Sequence, residues 1–174
     1  VVLTENNFAT LTVSELVALG RTPYTGFLGR LTSEDKTIVT AAMERMGIAH
    51  FAARAVSTLS DGERQKCLIA KAIAQQTPLM LLDEPTAFLD FRSKVQLFRT
   101  LRALATDDGK AVVVSTHDIE MALRFANKLW LICDGALYEG SAQELAADGL
   151  LQRFIDGDGI VYDKENNRID ITQI

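Results

Sequence analysis

Four consecutive apolar residues, Leu79 to Leu82, lead directly into two acids, Asp83 and Glu84. A short apolar run that starts after Pro78 and ends in acids predicts a fully buried strand of a parallel sheet. Ala111 to Ser115 is a second such run, and the segment between the two has helical spacing of its apolar residues. The chain is therefore predicted to have an α/β fold, with its ligand site at the carboxyl ends of the strands.

Apolar spacing and end signals predict the other elements. The predicted helices are residues 11–20 with a glycine stop at Gly20, 33–46, 60–76, 91–105 and 118–126, and residues 21–30 are predicted to be a loop. Residues 129–133 and 136–138 are predicted to form a hairpin around Asp134-Gly135. The tail after residue 141 is expected to hold one or two short helices and a pair of strands near 160–162 and 169–171, while Val1-Val2-Leu3 is typical of the end of a buried strand.

Composition is that of a globular protein, with 48% apolar and 24% charged residues. No apolar run is long enough to span a bilayer, and the first residues lack the features of a secretory signal. A net charge of −5 gives no general attraction to nucleic acid, so no nucleic-acid partner is expected. Cys67 and Cys133 lie in separate apolar stretches, which favours buried reduced thiols over a disulfide or a metal site.

Asp83 and Glu84 place two carboxylates at the rim of the predicted sheet, where a metal ion or a substrate could stabilise their charge. In P-loop NTPases an acid at this point helps to hold the magnesium of the nucleotide. The next acid can face the γ-phosphate and position or deprotonate the attacking water. The structural alternative is a polar strand-to-helix turn through Pro85 and Thr86.

Ser60 and Glu63 have the spacing of a capping box, which begins many helices. The same free amides and helix dipole, with the Ser60 hydroxyl, also make a phosphate site. His117 follows the second strand and is expected at the same sheet edge as the acids, where its imidazole could bond a γ-phosphate. A histidine at a strand end is also common for structural reasons, so each of these features alone leaves both interpretations open.

The combination of these features is far more specific, and it resembles the ATP-binding subunits of ABC transporters. Residues 59–63 resemble the signature motif of that family, and residues 79–84 resemble its Walker B motif. Residues 86–90 resemble the D-loop, and His117 resembles the switch histidine. The resemblance covers essentially the whole chain in the expected order. It implies a partial P-loop NTPase fold, with a parallel sheet core and a helical subdomain that carries the signature motif.

Roles for the strand-end residues follow from the resemblance. In the family, ATP is bound between two subunits that are arranged head to tail. Asp83 would organise Mg²⁺, Glu84 would act on the attacking water, and His117 would sense the γ-phosphate. The activity implied is transport-coupled ATP hydrolysis.

The resemblance also implies partners. Ser60 and Gly62 would bind the nucleotide of the second ATPase subunit, and Asp90 would communicate across the dimer. The helices within residues 1–77 would dock on a transmembrane permease, and residues 78–174 would form the rest of the catalytic core. The expected location is the cytoplasm, at the inner face of the cell membrane. Residues 11–24 resemble the importers of iron-siderophore complexes, haem and cobalamin.

Three departures from the family pattern stand out. No Walker A loop, G-x-x-x-x-G-K-S/T, occurs in the sequence, because the one Gly-Lys pair, Gly109-Lys110, lacks the rest of the motif. We therefore expect a fragment whose phosphate loop lies upstream and which is inactive alone. Asp61 and Glu63 replace a glycine and a glutamine of the usual signature. Residues 4–7 hold no glutamine that could contact magnesium.

Two other functions remain open at this stage. A non-catalytic ABC-like binding or regulatory module would keep the shape without turnover, and it is favoured only if the natural protein also lacks a phosphate loop. An ABC ATPase of DNA repair or translation would carry long insertions or tandem cassettes, and neither is present in these 174 residues. Glu84 and His117 favour the transport ATPase over the module.

Overall fold

A computed structural model describes residues 10–26 and 29–171 of the chain. The α-helices are α1 (Val13–Ala18), α2 (Ser33–Arg45), α3 (Asp61–Ala74), α4 (Phe91–Thr106), α5 (Ile119–Phe125), α6 (Ala142–Ala147) and α7 (Leu150–Ile155). The strands are β1 (Leu79–Asp83), β2 (Ala111–Ser115), β3 (Leu129–Cys133), β4 (Ala136–Gly140), β5 (Ile160–Asp163) and β6 (Arg168–Ile171). Three 3-10 helices are Leu19–Tyr24, Ala49–Phe51 and Val56–Thr58. The predicted strand at Val1-Val2-Leu3 and the loop at residues 4–7 lie outside the described residues.

The chain forms two compact units that meet in sequence between Thr116 and His117. The first contains α1 to α4 with β1 and β2, and the second contains α5 to α7 with the four remaining strands. The predicted functional division between residues 77 and 78 is a separate matter and stays a prediction.

The sheet of the first unit pairs β1 with β2 in parallel, from Leu79 opposite Ala111 to Asp83 opposite Ser115. Because α4 connects the two strands, the predicted strand–helix–strand unit and α/β class are confirmed. Met80 and Leu82 point into a core that also contains buried residues of α1 to α4. Both strands therefore end at the same edge of the sheet, where Asp83 and Ser115 lie side by side.

The prediction that β1 is buried on both faces is wrong. Leu79 and Leu81 alternate with the buried Met80 and Leu82 and are 49% and 48% exposed. Successive side chains of a strand point to opposite faces, and in the described part of the chain the helices of this unit cover only the face with Met80 and Leu82. A continuous apolar run therefore did not distinguish a strand covered on both faces from one covered on one face.

Gly20 has a different role from the predicted helix stop. The chain continues from α1 into the 3-10 helix Leu19–Tyr24, so the predicted loop begins later than residue 21. A Cβ at position 20 would lie 2.3 Å from the carbonyl oxygen of Lys71 in α3. Glycine is therefore required here because two helical backbones pass very close to each other.

Arg21 is buried and joins this 3-10 helix to the ends of two helices. Its Nε donates to Asp35 Oδ1 at 2.8 Å, and its guanidinium also donates to the carbonyl oxygen of Ala74 at 3.1 Å. Hydrogen bonds from the Thr32 hydroxyl and amide, together with Arg21, lower the pKa of Asp35 to about 2. A buried charge pair of this kind fixes the start of α2 against the end of α3.

The second unit contains two antiparallel hairpins, β3 with β4 and β5 with β6, and the helices α5 to α7. Its core includes Leu129, Leu131, Leu145 and Leu151. The hairpin around Asp134-Gly135 and the strand pair in the tail are confirmed.

Both cysteines are free, as expected. Cys67 is buried as predicted, whereas Cys133, the last residue of β3, is half-buried. Across residues 10–26 and 29–171, no helix combines the length and the apolar character needed to cross a membrane.

Candidate functional site

The carboxyl ends of β1 and β2 bring three polar groups together. Ser115 Oγ donates a hydrogen bond to Oδ1 of Asp83, and the backbone N–H of Glu84 donates to the Ser115 carbonyl oxygen at 3.0 Å. Parallel register causes this, since Asp83 and Ser115 are partners across the pair. The two acids therefore sit at a fixed place on the sheet edge, as the sequence predicted.

The backbone turns sharply after β1. Glu84 has φ of 43° and Phe88 has φ of 65°, in the left-handed region that costs a side chain with a Cβ roughly 1–2 kcal/mol. Two short-range bonds hold the turn, from Ala87 N–H to the Glu84 carbonyl oxygen and from Leu89 N–H to the Thr86 carbonyl oxygen, both at 3.1 Å. Backbone strain of this kind is concentrated at functional sites, where it fixes the direction of a side chain.

The start of α3 is a complete capping box. The Glu63 N–H donates to Ser60 Oγ at 3.3 Å, and the Ser60 N–H donates to the Glu63 carboxylate at 2.8 Å. The Ser60 N–H is the larger cause that lowers the pKa of Glu63, and the Ser60 hydroxyl, which donates to the same carboxylate at 3.1 Å, lowers it further. Asp61 pairs with Arg64 at 3.2 Å. Both acids that depart from the family signature are thus engaged within the helix start, where their charge suits the helix dipole.

Asp90 is the N-cap of α4, and its Oδ1 accepts from the Ser93 N–H at 2.7 Å. This backbone bond lowers the pKa of Asp90, so its carboxylate is ionised at neutral pH. The neighbouring Phe88 and Phe91 are 77% and 67% exposed. Asp90 is itself exposed, and in the sequence it lies between these two aromatic residues.

The segment between Glu84 and Asp90 also packs against the start of α3. A Cβ at Gly62 would lie 3.0 Å from the Phe88 carbonyl oxygen, and Gln65 Nε2 donates to the Pro85 carbonyl oxygen at 3.3 Å. The structure thus places the predicted residues Ser60, Gly62 and Asp90 in one unit with the strand-end acids.

His117 is the first residue of the second unit, two positions beyond Ser115. Its carbonyl oxygen accepts from the Ile119 N–H at 3.0 Å, at the start of α5. The predicted position of its ring beside Glu84 stays a prediction.

Sequence reasoning assigned no role to Ser115 or to Gln65. Ser115 could have been found, because the pairing of two strands in parallel places their last residues side by side. No local pattern in the sequence points to Gln65, since its contact joins α3 to a turn twenty residues later.

The site fits a magnesium ion that is held mainly by a nucleotide. Within the described ranges, no group of three or more His, Cys, Asp or Glu side chains is arranged to bind a metal alone. Mg²⁺ is usually bound through one or two carboxylates together with substrate phosphates and water. Asp83, at the rim of the sheet and oriented by Ser115, is the side chain that would supply that carboxylate.

Comparison with known proteins places this arrangement in a family. The family model for the ABC transporter matches residues 1–87, which is half of the chain. An uncharacterized ABC transporter ATP-binding protein of Methanocaldococcus jannaschii is 46% identical over 133 residues, 76% of this chain and 46% of that protein. The iron(3+)-hydroxamate import ATP-binding protein FhuC of Bacillus subtilis is 38% identical over 160 residues, 91% of this chain and 60% of that protein.

A solved structure described as a metal-chelate type ABC transporter, in an inward-facing conformation, is similar with a TM-score of 0.78. It is 27% identical, and the match covers 98% of this chain and 68% of that one. The chain spans about half the length of the curated relatives that it matches. These similarities agree with the strand-end acids, the capped helix start and the P-loop NTPase sheet, and the chain therefore belongs to the ABC transporter family.

Proposed function

We propose that this chain is part of the ATP-hydrolysing subunit of an importer for an iron-siderophore complex, haem or cobalamin. The observation that carries the proposal is the sheet edge at which Asp83 and Glu84 are fixed by Ser115. The relative FhuC is described as an import ATP-binding protein for iron(3+)-hydroxamate. The resemblance of residues 11–24 to this importer group supports the same choice.

Asp83 and Glu84 have different roles at the sheet edge in this proposal. Asp83 holds Mg²⁺, which, when bound, neutralises charge on the nucleotide phosphates. Glu84 receives a proton from the attacking water or orients that water toward the γ-phosphate. The strained backbone at Glu84 fixes the start of its side chain relative to Asp83, which favours a reproducible position for the water.

His117 completes the hydrolytic set as a sensor of the γ-phosphate. Its place in the sequence, directly after the strand that ends at Ser115, supports this role. An imidazole can donate a hydrogen bond to a phosphate oxygen near neutral pH, and it can therefore report whether the γ-phosphate is present.

The start of α3 serves a second subunit in a head-to-tail dimer. Ser60 and Gly62 supply a hydroxyl and backbone amides at the positive end of a fourteen-residue helix, which suits a phosphate of the partner's nucleotide. Asp90 lies on the surface of the same unit and communicates across the dimer. In the capping box the Glu63 carboxylate accepts from the Ser60 N–H, so the phosphate has to compete with that carboxylate at the helix start.

The helical part of residues 1–77 docks on a transmembrane permease, and residues 78–174 form the remaining part of the catalytic core. This arrangement places the subunit at the inner face of the membrane as a peripheral protein. The buried ion pair of Arg21 and Asp35 supports a rigid helical part. A rigid part is required if the subunit transmits force to a permease.

The proposal is tested by ATP hydrolysis with a longer version of the chain that carries a phosphate-binding loop ahead of Val1. Glu84→Gln should keep nucleotide binding and reduce hydrolysis on the order of 100-fold, since it removes the basic carboxylate. Glu44→Gln, at an exposed position of α2, is the matched control and should hydrolyse ATP at the unchanged rate. Hydrolysis by Glu84→Gln within a few-fold of the original rate would refute the role of Glu84.

A non-catalytic module is the alternative, and it is favoured only if the natural protein also lacks the G-x-x-x-x-G-K-S/T sequence that is absent from these 174 residues. The same assay separates the two, because a module binds nucleotide without turnover even in the longer version. The 174-residue chain itself should bind magnesium-ATP weakly, since the amides and lysine of that loop normally hold the phosphates. Tight binding in a nucleotide titration would contradict this expectation.

A further inference from the structure

The start of α3 touches the turn segment, residues 85–90, at two places in the same chain. Gln65 Nε2 donates to the Pro85 carbonyl oxygen at 3.3 Å. Gly62 lies so close to the turn that a Cβ would be 3.0 Å from the Phe88 carbonyl oxygen and 3.5 Å from Leu89 Cδ2. On the turn side, the nearest group in each case is a backbone carbonyl. Both contacts therefore depend on the path of the turn and much less on the identity of its side chains.

The turn segment has little freedom to absorb a displacement. Thr86 is 2% exposed and Leu89 is 9% exposed, so two of its side chains are packed in the interior. Its first residues are held by the bond from Ala87 N–H to the Glu84 carbonyl oxygen. A movement at Glu84 is therefore passed to the Pro85 and Phe88 carbonyls, because closely packed interiors transmit strain.

We infer that Gly62 and Gln65 couple the strand-end acids to the start of α3 within one chain. The inference rests on the proposed function, in which the acids serve one nucleotide and Ser60 serves the nucleotide of the second subunit. Gln65 is a positioning residue, since its hydrogen bond to the turn is to the Pro85 backbone. Gly62 acts by leaving room for the Phe88 carbonyl. Binding or hydrolysis of the nucleotide at Asp83 and Glu84 thereby changes the position of Ser60 in the same chain.

Amide hydrogen exchange of the 174-residue chain, measured by NMR, tests the coupling without any nucleotide. Gln65→Met keeps the length of the side chain and removes the donor to Pro85. The amides of Ala87 and Leu89 should then exchange about threefold to tenfold faster, as expected from the loss of one hydrogen bond. Amides of the β5–β6 hairpin in the second unit are the internal control and should keep their rates.

A rescue variant distinguishes positioning from general packing. Gln65→Lys restores an N–H donor on a long side chain. The chain already contains a hydrogen bond from a lysine to a backbone carbonyl, since Lys110 Nζ donates to the Thr77 carbonyl oxygen at 2.8 Å. Gln65→Lys should return the Ala87 and Leu89 rates to those of the original chain. Unchanged rates in Gln65→Met, or rates equally fast in both variants, would overturn the inference.

Gly62→Ala tests the second contact independently. In a helix without a close neighbour this change stabilises the fold, because alanine is the better helix former. Coupling predicts the opposite result, with faster exchange at Leu89 and a lower unfolding midpoint. Slower exchange with a raised midpoint would show that the contact has no effect. If Gly62→Ala does not fold, Gln65→Met still decides the question.

A kinetic measurement links the coupling to turnover. In the longer version with a phosphate-binding loop, Gln65→Met should lower kcat several-fold and leave KM for ATP within about twofold, since an interaction felt only in the transition state affects kcat. A raised KM with unchanged kcat would overturn the inference. The exchange results stand independently of ATP hydrolysis, so a failure of the proposed function and a failure of the coupling are distinguishable.

Discussion

Replacement of Gly20 by alanine should destabilise the first unit, although alanine is the better helix former. The new Cβ would lie 2.3 Å from the Lys71 carbonyl oxygen, about 1 Å closer than ordinary contact, which begins near 3.4 Å. The Ala74 Cβ and the Gln75 nitrogen would each be 3.3 Å away, so a shift in another direction meets further atoms. Because the nearest atom belongs to the backbone of α3, the two helical segments must separate.

The size of the effect follows from two opposing contributions. Overpacking of an interior typically costs 1–3 kcal/mol, and a contact limited by backbone belongs at the upper end of that range, about 3 kcal/mol. The higher helix propensity of alanine offsets at most about 1 kcal/mol of this loss in the free energy of unfolding. The expected loss in free energy of unfolding is therefore about 2 kcal/mol. With a urea dependence of about 2 kcal/mol per M, the unfolding midpoint falls by about 1 M.

Urea unfolding followed by far-ultraviolet circular dichroism is the appropriate assay, because α2, α3 and α4 of the first unit contribute much of the helical signal. The single tryptophan, Trp130, lies in the second unit and does not report on this contact directly. Gly109→Ala is the control, because beyond the adjacent residues no atom lies within 4 Å of the added Cβ, and the cost of this change comes from φ of +65°. A midpoint for Gly20→Ala that equals or exceeds that of the original chain would refute the close-approach explanation.

Two further predictions concern ionisable groups. Burial raises the pKa of the Cys67 thiol to about 12. At pH 8 a disulfide reagent should therefore modify the half-buried Cys133 quickly and Cys67 only after unfolding. Rapid modification of both thiols in the folded chain would contradict the burial of Cys67. Hydrogen bonds from Thr32 and the Arg21 contact hold the pKa of Asp35 at about 2, below its usual 3.8. Its stabilising contribution is then complete above pH 4 and lost as the pH falls toward 2. The melting temperature of the original chain should therefore fall more steeply between pH 4 and pH 2 than that of Asp35→Asn. Parallel plots of melting temperature against pH for the two proteins would contradict this contribution of Asp35.

Local signals explain the elements that were predictable from sequence. The capping box of Ser60 and Glu63 lies within four residues, and the structure begins α3 at that point. The end of β1 in two acids and its parallel partner β2 were also recognisable, because apolar runs and the helix between them fix the order of elements. Family motifs then predict the chemistry of the site, since they combine residue types at fixed distances along the chain.

Contacts between distant segments explain what the sequence did not predict. A glycine after an apolar helix suits both a helix stop and a close approach, and only the packing against Lys71 shows that Gly20 belongs to the second class. The exposure of Leu79 and Leu81 depends on which face of the sheet is covered, which an unbroken apolar run does not encode. Gln65 likewise acquires its role from a turn in another part of the unit.

The capping box at the start of α3 also determines which charge this helix end presents. The Glu63 carboxylate already accepts the bond from the Ser60 N–H at 2.8 Å, so it is an internal competitor for any anion that approaches this helix end. An anion that approaches from outside therefore meets a negative charge already bonded to this helix start. The hydrogen bonds from Ser60 lower the pKa of Glu63, which favours the charged form of this carboxylate. A residue that departs from the family signature thus gives the helix start a resident anion from its own chain.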